Sequence, residues 1–181
     1  MKDKLLVLAY MGTGKTELEH RYSNVVDLDF QDYKYIYDES VRHLPLEQRK
    51  GQPSLRTENP NYPNNFITDA LKELETGKVV VSPFIEHVFK AIDSGKFKRN
   101  ATNTRVILVF PTSDNFEEYV DRFRKRGNSE EFILRRRKEF VSLVDLFKNA
   151  KDDEYEKIII KPGQFLSEAL VEYGINLKGK E

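Results

Sequence analysis

Residues 5–16 read Leu-Leu-Val-Leu-Ala-Tyr-Met-Gly-Thr-Gly-Lys-Thr, an apolar run that stops at a glycine-rich turn ending in Lys-Thr. An apolar run without polar alternation is buried on both faces, so Leu5–Ala9 reads as a strand of a covered parallel sheet. Gly12 and Gly14 permit a backbone path on which successive N–H groups converge on an anion. A helix opening at Lys15 adds the partial positive charge of its N-terminus. Residues 9–16 fit G-x-x-x-x-G-K-[ST] except at the first position, where Ala9 replaces glycine. In that pattern Gly12, Thr13, Gly14, Lys15 and Thr16 enclose the phosphates of ATP. Lys15 reaches the β- and γ-phosphates, and the Thr16 hydroxyl ligates Mg²⁺. The competing reading is a turn that binds nothing, which the strand before it and the helix after it disfavour.

Strand-like and helical runs alternate along the rest of the chain. Strands are predicted at Val25–Phe30, Val79–Ser82, Val106–Phe110 and Ile158–Ile160. Between them, Ile67, Ala70, Leu71 and Leu74 mark an amphipathic helix that stops at Gly77. Further helices are predicted over Glu86–Asp93, from a capping-box pattern at Asp114 and Glu117 to Arg126, over Ser129–Phe147, and over Phe165–Tyr173. This alternation predicts an α/β three-layer sandwich with a five-stranded parallel sheet. With 181 residues it makes a single domain. Residues 31–65 lack periodicity and carry clustered tyrosines, Arg42, Arg49, Arg56 and prolines including Pro53, Pro60 and Pro63. The stretch is too long for a plain connection and reads as an inserted functional segment.

Thirty basic side chains balance thirty acidic ones, which argues against nucleic acid as the partner. The chain has no cysteine, so a thiol nucleophile, a disulfide scaffold and thiolate zinc sites are excluded, and a cytoplasmic setting fits. No apolar run approaches a membrane span, and residues 1–4 with the short run after them read as a strand leading into a loop, not a leader.

Neutrality is nevertheless built from opposed regions. Residues 122–138 hold eight basic and two acidic side chains, whereas residues 25–39 hold five acidic ones against one lysine. Helical spacing puts Arg136 in register with Phe132 and Phe140, and Arg137 with Ile133 and Val141. Arginines on an apolar stripe are costly unless they face a cleft that takes anions. Arg122 and Arg126 are i, i+4 neighbours beside an inner stripe of Phe116, Tyr119, Val120 and Phe123. Glu118 can pair with Arg122, so a solvated helix face is the rival account there. Asp27 and Asp29 end the second strand on the sheet edge where ligands bind, suited to water on Mg²⁺ or to a substrate hydroxyl. An ordinary strand-end turn explains them equally. Tyr33, Tyr35 and Tyr37 suit stacking on a base or a half-buried strand. His20, His43 and His87 lack metal-ligand spacing and read as surface or packing residues.

Pro111-x-Ser113, Arg122-Phe123-Arg124-Lys125-Arg126-Gly127, Ser129-Glu130-Glu131 and Arg136, together with the phosphate loop, resemble the nucleoside monophosphate kinases, most closely the guanylate kinases. The resemblance covers roughly a quarter of the chain. It implies that Lys15, Arg122, Arg126 and Arg136 are catalytic, with the arginines on donor and acceptor phosphates. It also implies a helical lid over about 114–140, an adenine site near Lys161 and Gly163, and an acceptor-binding insert over about 31–65 that uses Asp29, Arg42, Arg49 and Arg56. Thr16 and Asp27 are then the metal side, with ATP and Mg²⁺ as cofactors and a nucleoside monophosphate as acceptor, in a monomer or homodimer. Two departures stand out. Residues 31–65 lack the guanine-recognition pattern, and the third strand ends in Ser82-Pro83-Phe84 without an acidic residue. The chain is also similar to compact kinase-like proteins of bacteria and their phages. The alternatives are a nucleoside or polynucleotide 5′-hydroxyl kinase, a non-catalytic ATP- or nucleic-acid-binding module, and a partner scaffold.

Overall fold

The structure, a computed structural model, describes residues 4–49 and 52–180. Residues 1–3 and positions 50 and 51 of the expected insert lie outside the described residues. In chain order the elements are β1 (Lys4–Ala9), α1 (Lys15–Arg21), β2 (Val25–Asp27), α2 (Gln31–Lys34), β3 (Tyr35–Tyr37), α3 (Glu39–Arg42) and α4 (Leu46–Arg49). A 3-10 turn (Pro53–Leu55), β4 (Arg56–Glu58), α5 (Asn64–Glu75), β5 (Val79–Pro83), α6 (Glu86–Asp93), α7 (Gly95–Asn100) and β6 (Thr104–Pro111) follow. The chain continues through α8 (Phe116–Lys125), α9 (Glu130–Asn149), β7 (Glu156–Ile160) and α10 (Leu166–Glu172).

Five strands form one sheet in the order β2-β5-β1-β6-β7, and every pairing in it is parallel. The two-residue period of β1 divides the core. Leu6, Leu8 and Tyr10 face α5, α6, α8 and α9, where they meet Phe66, Ile67, Val88, Tyr119, Phe140 and Phe147. Leu5, Val7 and Ala9 face α1 and α10 and meet Leu18, Leu166, Ala169 and Leu170. The unbroken apolar run in β1 is therefore the signature of a central strand covered on both sides. No helix of the described residues is long and apolar enough to cross a membrane.

Several local expectations shift. The second strand stops at Asp27 rather than Phe30, because the Asp29 carboxylate accepts from the Gln31 N–H (3.0 Å) and turns the chain into α2. The insert lacks a single periodicity because its elements are short. It folds into short helices and an antiparallel β3–β4 pair. The capping box at Asp114 and Glu117 does not form: α8 starts two residues later, after Asn115, and Glu117 turns to Arg137 instead. Helix α7 has no counterpart among the expected elements; the Ser94 Oγ accepts from the Phe97 N–H at its start, and Phe97 is buried. The helix expected from Ser129 begins at Glu130, with Ser129 as its N-cap, the Oγ accepting from the Phe132 N–H (3.2 Å). The α8–α9 pair expected as a lid lies against the sheet, with Tyr119, Phe123, Ile133, Phe140 and Leu143 buried.

Candidate active site

The turn after β1 is held from several sides. The Thr13 hydroxyl is fully buried and donates to the Tyr10 carbonyl (2.7 Å), closing the loop on itself. The Thr13 carbonyl accepts from the Leu166 N–H at the start of α10 (2.9 Å). Gly12 and Gly14 have φ of 84° and 99°, in the left-handed region that favours glycine. A Cβ on Gly12 would also lie 3.1 Å from both Phe123 Cε1 and Tyr119 Cδ1, so α8 is pressed directly onto the loop. Lys15 curls over this turn, its Nζ donating to the carbonyls of Ala9 (3.1 Å) and Tyr10 (3.2 Å).

Beside it, the Thr16 hydroxyl donates to Asp27 Oδ2 (3.3 Å). The Asp27 N–H donates to Glu19 Oε1 (3.1 Å), which fixes the end of β2 against α1. Asp27 Oδ1 is buried and has no hydrogen-bond partner. Burial, opposed by Lys15 and aided by Asp29 and Glu19, pushes the Asp27 carboxyl up to about 6. A buried carboxylate oxygen without a donor, next to a threonine hydroxyl, is a hard-oxygen pair that fits Mg²⁺. Among the described residues no group of three or more His, Asp or Glu could hold a metal by itself. Two protein oxygens, completed by phosphate and water, are the usual arrangement for Mg²⁺.

The predicted arginines separate into distinct environments. Arg122 is a clamp: Nη1 donates to the Gly12 carbonyl (3.0 Å), Nη2 donates to the Gln164 carbonyl (3.0 Å), and the group pairs with Glu118. Its guanidinium also lies 4.3 Å from the Phe165 ring centre. The ion pair offered by the solvated-face account exists, but it is part of a junction joining α8 to the loop and to the start of α10. Arg126 is exposed and lines an open cleft of about 500 Å³ with Gly14, Glu17, Phe165, Ser167 and Val171. Arg136 is largely covered by Phe132 and Met11 and pairs with Glu139 (2.6 Å), while its Nε is buried without a partner. Arg137 does not share that environment. It is exposed and paired with Glu117, and Val141, expected on the same apolar stripe, is 65% exposed.

The other predicted positions lie apart from the loop's first ring of contacts. Lys161 pairs with Glu172 (2.8 Å), and the Gly163 N–H donates to Glu118 Oε2 (3.0 Å). It is Phe165, Ser167 and Val171, slightly further along, that line the cleft. Within the insert, Arg42 donates to the Tyr37 carbonyl (3.4 Å), Arg49 pairs with Asp32 (3.1 Å), and Arg56 stacks on Tyr35 at 3.9 Å. Asp29 caps the turn into α2. Tyr33 packs on Phe66 rather than continuing a strand with Tyr35 and Tyr37.

Sequence reasoning reads His87 as a surface or packing residue and does not single out Tyr62. The His87 ring sits 4.6 Å from Phe30 and 5.9 Å from Tyr62, centre to centre, and both His87 Nε2 and the Tyr62 hydroxyl are buried without partners. Burial and the nearby Lys34 and Arg136 bring His87 down to about 4. No periodic pattern marks these residues; the one signal in the sequence is a histidine one residue into a helix that follows a sheet strand.

No family model matches the chain, and no curated protein matches it either. Solved structures do. The chain is similar to the tunicamycin resistance protein of Deinococcus radiodurans, with 9% identity and a TM-score of 0.52, covering 96% of each chain. It is also similar to a gluconokinase from Sinorhizobium meliloti, with 12% identity and a TM-score of 0.50, covering 94% of this chain and 89% of that one. At such identities the likeness speaks for the fold alone, and together with the parallel sheet and the loop after β1 it gives the chain a P-loop kinase-like fold.

Proposed function

We propose that the protein is an ATP-dependent phosphotransferase whose acceptor is a nucleoside monophosphate, as in the guanylate-kinase-like enzymes it resembles. The observation that carries this reading is the Thr16–Asp27 pair at the mouth of the loop, with Asp27 Oδ1 buried and unpartnered. In this reading the backbone of residues 12–16 and the Lys15 side chain hold the donor phosphates, so Lys15 exchanges its carbonyl partners for phosphate oxygens. Thr16 and Asp27 hold Mg²⁺, which when bound neutralises charge on the donor phosphates. The cleft lined by Phe165 and Val171 receives the adenine, and Arg126 at its rim faces the phosphates. Arg136 lies on the acceptor side, where its unpartnered Nε can donate to an anionic group. Arg122 holds α8 to the loop and excludes water from it. The protein supplies position and electrostatics, and no protein nucleophile is needed.

A hydroxyl acceptor is a second reading, favoured by one observation. A carboxyl at about 6 is suited to accepting a hydroxyl proton at Asp27 Oδ1. The gluconokinase likeness is compatible with an acceptor of this kind. A panel of ribo- and deoxynucleoside monophosphates, nucleosides, 5′-hydroxyl oligonucleotides and aldonic acids, read by ADP release, decides between them. The first reading expects a nucleoside monophosphate to turn over and yield the diphosphate. Turnover only with hydroxyl acceptors overturns it in favour of the second, and ATP binding without any acceptor-dependent ADP overturns both.

A further inference from the structure

Two buried polar groups outside the phosphate loop have no hydrogen-bond partner in the fold and share one aromatic cluster. Phe30 follows the turn out of β2, His87 opens α6, and Tyr62 precedes α5. Their rings form one surface, with His87 between Phe30 at 4.6 Å and Tyr62 at 5.9 Å, and with Phe66 behind Tyr62 at 6.5 Å. All three of the front residues are half-buried, while the two polar atoms among them are themselves covered. Yet His87 Nε2 and the Tyr62 hydroxyl, the two polar atoms set into it, have no partner. An unpaired buried polar atom costs roughly 1–3 kcal/mol, so these two atoms in one aromatic cluster leave hydrogen-bonding capacity that a ligand would fill.

The charges facing His87 define that ligand. Lys34 on α2 and Arg136 on α9 both act on it as cations, against Glu86 on its own helix. Glu86 is exposed and pairs with Lys90 (2.6 Å). Lys34 lies 3.8 Å from Glu58 and 5.5 Å from the Tyr35 ring centre. Arg136 pairs with Glu139 through Nη1 (2.6 Å) and keeps Nε unpartnered. The cluster therefore combines hydrogen-bonding groups on aromatic rings with two cations near enough to act on His87.

We infer that His87 and Tyr62 are specificity-determining residues that bind the body of an anionic acceptor through His87 Nε2 and the Tyr62 hydroxyl, with its charged group toward Arg136 and Lys34. This deepens the phosphotransferase reading by naming the acceptor's chemistry, and it rests on that reading only for there being an acceptor.

The test uses the full chain and its three histidines. Their ring Cε1–H resonances are followed while AMP, GMP, CMP, UMP or gluconate is added, and ADP release is measured with the same compounds. The expected result is that one compound moves the His87 signal and leaves those of His20 and His43 in place. Tyr62→Phe and His87→Ala then raise the half-saturating concentration of that compound about tenfold, the loss of one hydrogen bond, with the KM for ATP unchanged. His87→Gln, which keeps a polar atom near Nε2, restores it. If no compound moves His87, or if one turns over with both variants unaffected, the inference is overturned while the phosphotransferase reading stands on the ADP signal. A His87 shift without ADP release reverses that outcome: the binding face holds and phosphoryl transfer fails.

Discussion

Gly12→Ala probes the contact between the phosphate loop and α8. Two costs add at this position. Gly12 has φ of 84°, and a residue with a Cβ in that region is strained by about 1–2 kcal/mol. The new methyl would also stand 3.1 Å from Phe123 Cε1 and from Tyr119 Cδ1. Neither ring has room to swing away, since Tyr119 is 0% and Phe123 1% exposed. Tyr119 is set edge-on to Tyr10 at 5.3 Å, and Phe123 edge-on to Phe132 at 5.4 Å. Overpacking a filled core costs about 1–3 kcal/mol. The sum is about 2–5 kcal/mol, against a total stability of about 5–15 kcal/mol for a domain of ordinary stability. Gly163→Ala supplies the control, because Gly163 has φ of 76° but a Cβ there would meet nothing within 4 Å. It bears the strain without the clash. For a chain of this length each kcal/mol lowers Tm by about 2–4 °C. Thermal unfolding followed by far-UV circular dichroism should therefore place Gly12→Ala well below Gly163→Ala. Equal shifts in the two variants would refute the claim that Tyr119 and Phe123 press on the loop.

Arg122→Ala removes donors from the carbonyls of Gly12 and Gln164 and takes the cationic partner from Glu118, which keeps its bonds from Asn115 and Gly163, so urea denaturation should show a loss of about 2–4 kcal/mol; Arg122→Lys should recover less than half, since an ammonium lacks the fork that spans three partners. Asp27 sits at about 6 in the fold against 3.8 ordinarily, so its ionised form weighs on stability fully above pH 6 and not at all below 3.8. Asp27→Asn should accordingly stabilise the ligand-free protein at pH 8 by about 1–3 kcal/mol, with no gain at pH 3.5, while phosphoryl transfer is lost; a less stable variant at pH 8 would contradict the burial account. His87 has the opposite sign: at about 4 in the fold against 6.5 ordinarily, it contributes stability above 6.5 that is lost as pH falls toward 4. His87→Gln should flatten that part of the stability profile, measured as the denaturation midpoint in closely spaced buffers.

The sequence carries some of these features openly and hides others for physical reasons. β1 and its loop are legible because burial on both faces leaves no polar alternation and because only glycine readily takes the path at positions 12 and 14. The start of α9 is legible at Ser129, where a local side-chain hydrogen bond caps the helix. Arg136 and Arg137, one residue apart on α9, are assigned alike by periodicity, yet one is covered by Phe132 and Met11 and the other pairs at the surface with Glu117. What separates them is where α8 lies, and no local pattern reports that. The same holds for His87 and Tyr62, whose surface is assembled from segments distant in sequence, and for Phe165, which lines the cleft ahead of Lys161 and Gly163. The end of β2 is hidden because Leu28 and Phe30 continue its alternation, while the Asp29 side chain turns the backbone away.

The central claim is that the loop after β1 holds ATP and gives up its γ-phosphoryl group to an acceptor bound across the sheet edge. Transfer of radiolabel from γ-labelled ATP to a pooled set of nucleoside monophosphates and hydroxyl acceptors, compared between the natural chain and Lys15→Ala, tests it most directly. The account predicts labelled product with the natural chain, none with Lys15→Ala, and unchanged circular dichroism in that variant, because the Lys15 hydrogen bonds described above end on carbonyls of the loop itself. Equal labelling by both proteins, or ATP binding with no labelled acceptor, would contradict it.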